Sequence, residues 1–131
     1  MNLSEYKGVL VFIEQRNKEV QKVSMELLGK GRTLADTLGV GVTAALLGHD
    51  VKDMAQDLIV HGADRVVIAD DKMSELFATE PYTKALVGIL KQEKPEIVLL
   101  GATSIGRDLA PRVSARVHTG LTADCTSLDI E

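Results

Sequence analysis

The stretch "EIVLLGATSIGRDLAPR", Glu96 to Arg112, decides the fold. Its first half is a short run of apolar, β-branched residues with no polar alternation, the pattern of a strand buried on both faces. Its second half reads as the start of a helix, "RDLAPRVSARVHTG", stopped by Gly120. Pro111 limits where that helix begins, because proline deep inside a helix removes a hydrogen bond and kinks the chain. Residues near 104–107 are therefore expected in a loop or first helical turn. Gly101, Thr103, Ser104, Gly106, Arg107, Asp108 and Arg112 gather at one strand-to-helix junction.

Working outward, the same alternation recurs. "GVLVFIE" (Gly8 to Glu14) reads as a first buried strand, followed by the polar stretch "QRNKEVQ". A helix follows in "VSMELLGKGRTLADTLG", with Val23, Leu27, Gly31, Leu34 and Leu38 predicted on one face. Gly29 and Gly31 each cost roughly 1 kcal/mol relative to alanine inside a helix. Because Gly31 lies on the apolar seam, it predicts close packing of helix on sheet, with Gly39 as the stop. "VGVTAALLG" (Val40 to Gly48) is a second strand. Asp50 is placed to cap "VKDMAQDLIVHG", with Val51, Met54, Ala55 and Leu58 inward and Gly62 ending it. "RVVIAD" (Arg65 to Asp70) is the third strand, and "KMSELFAT" a short helical turn. Pro81 suits the start of a helix that turns Leu86, Ile89 and Leu90 inward and ends at Pro95. "DCTSLDIE" reads as a fifth strand.

Strand and helix thus alternate to a fifth strand. The pattern predicts an α/β domain over residues 1–131, a three-layer open parallel sheet with helices on both faces and strand order 3-2-1-4-5. In such sheets ligands sit beyond the carboxyl ends of the strands, where the order reverses. Here that is between the first and fourth strands, at Glu14, Gln15 and residues 102–107. The quoted turn suits a polar or anionic ligand: free amides open the helix, and glycine lets a ligand approach the backbone. Any parallel α/β protein also needs such a turn for structural reasons alone. The turn is neither a Walker loop nor a dinucleotide fingerprint, and it lacks the tail of the universal-stress nucleotide motif. Asp108 lies four residues before Arg112 and favours the positive end of the helix dipole, an ordinary stabilising pair.

Composition narrows the function classes. Of 131 residues, 45% are hydrophobic and 26% charged, as in ordinary globular domains. The formal net charge of -4 argues against nucleic acid or an anionic membrane as the main partner. Aromatics are only 3% and tryptophan is absent, so the core must be aliphatic. The single cysteine, Cys125, cannot form an intramolecular disulfide and fits a reducing, cytoplasmic setting as an inert thiol. No signal peptide and no stretch of membrane-spanning length is visible. His49, His61 and His118 are scattered without metal spacing, so no metal site is expected, and helix-end or surface roles are. Asp70 and Asp71 read as a solvated turn. No catalytic constellation is visible, so an enzyme with its own active site is not expected.

Beyond these patterns the chain resembles the N-terminal domain of the electron-transfer flavoprotein α subunit. The resemblance rests on "GATSIGRDLAPRVSARVHTGLTADCT" (Gly101 to Thr126), on "ELLGKGRTLAD" (Glu26 to Asp36) and on "HGADRVVIAD" (His61 to Asp70). It implies a heterodimer with a β subunit that carries electrons from a flavin-containing dehydrogenase, with bifurcating members in the family. It further implies FAD held mainly by a C-terminal domain absent from this sequence, and AMP or a second FAD in the β subunit. The expectation is of a domain from a longer subunit, since the sequence stops at an apparent strand. On this reading Thr103, Ser104, Gly106 and Arg107 face the β subunit or its flavin. Arg107 is the leading residue, because its permanent charge could stabilise a reduced, anionic flavin or pair with a partner carboxylate. The alternative is an autonomous universal-stress-type module that binds AMP or ATP.

Overall fold

The computed structural model describes residues 8–16, 19–48, 52–70, 79–95 and 97–101, together with 105, 108, 109, 112 and 113. In chain order the elements are β1 (Val9–Ile13), β2 (Gln15–Arg16), β3 (Glu19–Val20), α1 (Lys22–Leu38) and β4 (Val42–Gly48). A 3-10 turn (Lys52–Met54), α2 (Ala55–Val60), β5 (Arg65–Asp70), α3 (Thr79–Glu93) and β6 (Ile97–Leu99) follow. Ile105, Asp108, Leu109, Arg112 and Val113 are helical.

β5, β4, β1 and β6 form one parallel sheet in that order. Counted as the four long strands of the sequence, this is 3-2-1-4; the predicted fifth strand lies outside the described residues. β1 is central. All five of its residues are buried, and they alternate between two cores. Val9, Val11 and Ile13 join Leu27, Leu28, Leu34, Met54 and Leu58 on the face covered by α1 and α2. Leu10 and Phe12 join Tyr82, Leu86, Leu90, Leu109 and Val113 on the other face. A period of two along the strand thus feeds two helical layers. The chain steps from β1 to β4 to β5 in one direction, and then returns to the far side of β1 to place β6. Right-handed crossovers therefore put α1 and α2 on one face and α3 on the other.

Three details depart from the sequence reading. The polar stretch after β1 is a small antiparallel ribbon, with Gln15 opposite Val20 and Arg16 opposite Glu19. The inward face of α1 is Ser24, Leu27, Leu28, Gly31, Leu34 and Ala35. Leu38 is 38% exposed, because it is the last helical residue before the chain turns away through Gly39 at φ 72°. The second helix is also shorter than predicted: Met54 belongs to the 3-10 turn, Met54 and Leu58 are buried, and Ala55 is half-buried. Asp50, Val51 and residues 72–78 of the turn predicted over 72–79 lie outside the described residues, and the last residue of that turn, Thr79, opens α3.

Gly31 is where α1 meets the sheet most closely. A Cβ there would lie 3.0 Å from Val11 Cγ2, 3.5 Å from Leu99 Cδ1 and 3.6 Å from Val9 Cγ1. At the amino edge of the sheet Arg32 ties three segments together. Its guanidinium donates to Asp64 Oδ2 at 2.8 Å, to the Gly62 carbonyl at 3.2 Å and to the Val40 carbonyl at 3.4 Å. Asp36, one turn along α1, accepts from Nε at 3.0 Å. Asp64 Oδ2 also accepts from the buried Val42 N–H at 2.8 Å. That bond first, and the Arg32 guanidinium second, hold the Asp64 carboxyl below its usual range.

Both contacts can be tested by substitution. Replacing Gly31 by Leu overpacks the α1–sheet contact and should cost commonly 1–3 kcal/mol, roughly the penalty of inserting methylenes into a filled core. Urea unfolding of Gly31→Leu measures this, and an unchanged midpoint would contradict the contact. Asp64→Ala leaves the Val42 N–H without its acceptor and should cost roughly 1–3 kcal/mol. Because the folded-state pKa of Asp64 is depressed, its contribution is complete above the unfolded value of about 3.9 and is lost as pH falls through the lower folded value. The stability difference between wild type and Asp64→Ala should therefore shrink on acidification below about pH 4, read from thermal melts.

Candidate functional site at the carboxyl edge of the sheet

The strand order reverses between β1 and β6, so the crevice predicted from sequence lies at the carboxyl ends of these two strands. The ladder pairs Val9, Leu10 and Val11 with Ile97, Val98 and Leu99. The parallel run brings Glu14 and Gln15 out beside the segment that leaves β6 through Leu100 and Gly101. Gly101 is buried at this exit, and Ile105 is already helical. Ile105 falls within the span 104–107 expected to be a loop or first helical turn. Thr103, Ser104, Gly106 and Arg107 lie outside the described residues. Asp108 and Arg112 form the predicted pair, with Arg112 Nε 3.3 Å from Asp108 Oδ1.

The end of β1 is held from both faces of the sheet. On the α1 face the Glu14 N–H donates to Ser24 Oγ at 2.7 Å, and the Gln21 N–H donates to the Glu14 carbonyl at 2.9 Å. Ser24 is fully buried, and Glu14 is only 6% exposed. On the α3 face the Gln15 side-chain amide donates to the Leu47 carbonyl at 3.3 Å, at the carboxyl end of β4. The same side chain hydrogen-bonds the phenol of Tyr82. Tyr82 is 5% exposed and packs edge-on against Phe12, with ring centroids 6.4 Å apart and planes at 72°. Burial pushes its phenol above the ordinary value, partly offset by the Gln15 bond. The hydroxyl therefore stays protonated throughout the physiological range.

Sequence reasoning found Glu14 and Gln15 through the topology, but missed Ser24 and Tyr82. Ser24 reads as a polar break next to the apolar seam of α1. Tyr82 reads as one more apolar residue after Pro81. A polar tip on a large apolar body in the first turn of a helix, at the ligand-facing edge of a sheet, was the available signal. His61 takes the helix-end role expected of it: it is exposed, and Nδ1 donates to the Asp57 carbonyl at 2.7 Å. His49, His118, Asp71 and Cys125 lie outside the described residues. Among the described residues no three His, Cys, Asp or Glu side chains are grouped to hold a metal ion.

A separate open depression of about 360 Å³ lies at the amino edge, away from the predicted crevice. Gly8, Gly41, Thr43, Arg65 and Glu93 line it. Arg65 Nη2 and Glu93 Oε1 pair there at 3.2 Å, with the Glu93 side chain 8% exposed. None of the residues predicted for the site takes part in it.

Known proteins share this fold and, more narrowly, this sequence. A universal stress protein from Archaeoglobus fulgidus, solved in complex with dAMP, superposes with a TM-score of 0.58 at 12% identity, over 90% of this chain and 97% of that one. At that identity the likeness shows the fold alone: a parallel α/β sheet with helices on both faces. The electron transfer flavoprotein subunit alpha of Clostridium acetobutylicum is 56% identical over 131 residues, covering 100% of this chain and 39% of that protein. The LctC subunit of the lactate dehydrogenase (NAD(+),ferredoxin) of Acetobacterium woodii is 41% identical over 128 residues, covering 98% of this chain and 31% of that protein. The chain thus spans well under half the length of these curated relatives. The family model of the electron transfer flavoprotein domain matches residues 9–131, and the chain belongs to that family.

Proposed function

We infer that this chain is the N-terminal domain of an electron-transfer flavoprotein α subunit. It does no redox chemistry alone, and it docks a β subunit through the carboxyl-edge turn at Thr103, Ser104, Gly106 and Arg107. The observation that carries this reading is identity of 56% along the whole chain to one such α subunit, together with a fold whose strand order reverses beside that turn. The same relatives favour it over a self-contained AMP- or ATP-binding module of the stress-protein kind, which shares the fold at 12% identity.

The cofactor of the assembled protein is FAD, which supplies one- and two-electron transfer when bound. The described groups at the carboxyl edge fit one wall of a flavin site rather than a whole cradle. Gln15 bonds Leu47 and Tyr82 within the chain, and Tyr82 is buried against Phe12. This supports a division in which a further domain of the α subunit holds the electron-carrying FAD, and the β subunit holds AMP or a second FAD. Arg107 is the residue through which this domain acts on the neighbouring site, by a fixed positive charge beside a partner carboxylate or a reduced flavin. A flavin-containing dehydrogenase supplies the electrons. The Acetobacterium woodii relative is named for a complex that couples NAD(+) and ferredoxin, which favours a bifurcating assembly. No described helix is long and apolar enough to cross a membrane. The lone Cys125 and the electron-carrier reading favour a cytoplasmic location.

The complete gene product, purified with its natural partner, should show flavin absorption bands and a second subunit, and flavin per heterodimer then separates one site from two. A colourless, self-contained protein that binds AMP or ATP would overturn the reading. Arg107→Ala should leave the melting temperature unchanged and weaken β-subunit association or slow electron transfer. Wild-type assembly and turnover in that variant would remove Arg107 from the site.

A further inference from the structure

The depression at the amino edge gathers polar groups that the fold leaves unused. Thr43 and Arg65 are register partners across the β4–β5 ladder, so their side chains stand side by side on one face of the sheet. That face is the one covered by α3, where Val67 and Ala69, two and four residues further along β5, pack. Glu93, the last residue of α3, meets Arg65 there, with its two carboxylate oxygens 3.2 and 3.3 Å from Nη2. The Arg65 side chain is 61% exposed, and its Nε and Nη1 have no acceptor among the described residues. The Thr43 hydroxyl and the Gly41 N–H likewise have no partner among the described residues. Asp64 supplies an acceptor beside these donors. Its Oδ2 takes the Val42 N–H and the Arg32 guanidinium, both at 2.8 Å, which leaves Oδ1 unused. A Cβ on Gly41 would lie 3.2 Å from that Oδ2, so the Gly41 backbone runs beside the Asp64 carboxylate. Gly41, Thr43, Asp64, Arg65 and Glu93 all line the same space of about 360 Å³.

We propose that this depression binds a small zwitterion of the amino-acid class, with its carboxylate on Arg65, the Thr43 hydroxyl and the Gly41 N–H, and its ammonium on Asp64 Oδ1. The volume is that of a small-molecule site. The local charges select the class. Arg32 and Arg65 balance Asp64 and Glu93, so a simple anion meets two carboxylates and a simple cation meets two guanidinium groups. A molecule without net charge that carries both groups satisfies the free donors and the free acceptor together. Arg65 keeps Glu93 while holding a carboxylate, because only Nη2 is engaged and the guanidinium has further N–H donors. Asp64 is held in place by Val42 and Arg32, and those two bonds keep it ionised at neutral pH. The site lies at the end of the sheet opposite the strand-order reversal, so it stands apart from the docking surface assigned to residues 103–107.

The test titrates the complete α subunit, assembled with its β subunit, by calorimetry with L-alanine, propionate and ethylamine. Alanine carries both charged groups, propionate lacks the ammonium and ethylamine lacks the carboxylate. Alanine should bind roughly tenfold or more tightly than either, the effect of one charge-assisted hydrogen bond. Thr43→Val keeps the shape of the side chain and removes the hydroxyl, and it should weaken alanine roughly three- to tenfold. Arg65→Gln should weaken alanine roughly tenfold or more. Asp64→Asn keeps an acceptor for the Val42 N–H and removes the charge that meets the ammonium. It should erase the preference for alanine over propionate, which a purely structural role of Asp64 would leave intact. Absence of saturable alanine binding, equal affinity for alanine and propionate in the wild type, or wild-type alanine affinity in both Thr43→Val and Arg65→Gln overturns the site.

Discussion

The structure depends on β1 being buried on both sides. A five-residue strand with no solvent-facing position must have a helix layer over each face, and its alternating side chains assign residues to those layers. Val9, Val11 and Ile13 set what α1 and α2 must cover, while Leu10 and Phe12 set what α3 must cover. The strand is central because β4 pairs on one edge and β6 on the other. Its position forces the reversal of strand order, and that reversal makes the end of β1 the natural place for a functional surface.

The two edges of the sheet are built differently. The amino edge is closed by charge. Arg32 directs its donors to Asp36, Gly62, Asp64 and Val40, and Asp64 completes the arrangement by accepting from Val42. These groups are partly exposed, so solvent screens the ionic part, and the bond to the buried Val42 N–H carries more of the effect. At the carboxyl edge the side chains that bond the strand ends are neutral, a serine hydroxyl and a glutamine amide, with the buried Glu14 beside them.

The same architecture serves proteins of different function. The stress-protein likeness covers nearly all of this chain yet extends only to the fold, whereas the flavoprotein relatives share residues along its length. What distinguishes the two comparisons is residue identity, 12% against 56%, rather than architecture. In this chain the described polar groups at the carboxyl strand ends are used within the domain.

Sequence alone determined the layer architecture, the four sheet strands, the glycine contact at position 31 and the reversal of strand order beside β1. Each follows from local periodicity or from a rule of parallel sheets. The "GATSIGRDLAPR" segment was also enough to suggest the family. Tertiary structure decided which face of α1 is inward, because Ser24 and Ala35 turn toward the sheet while Leu38 projects past its edge. It turned a polar stretch into the β2–β3 ribbon, whose pairing between Gln15 and Val20 leaves no apolar alternation to read. It also joined Gln15 to Tyr82 across 67 positions of sequence. No local pattern encodes that bond: the strand fixes one partner and the helix the other, and only the packing of α3 on β1 brings amide and phenol together.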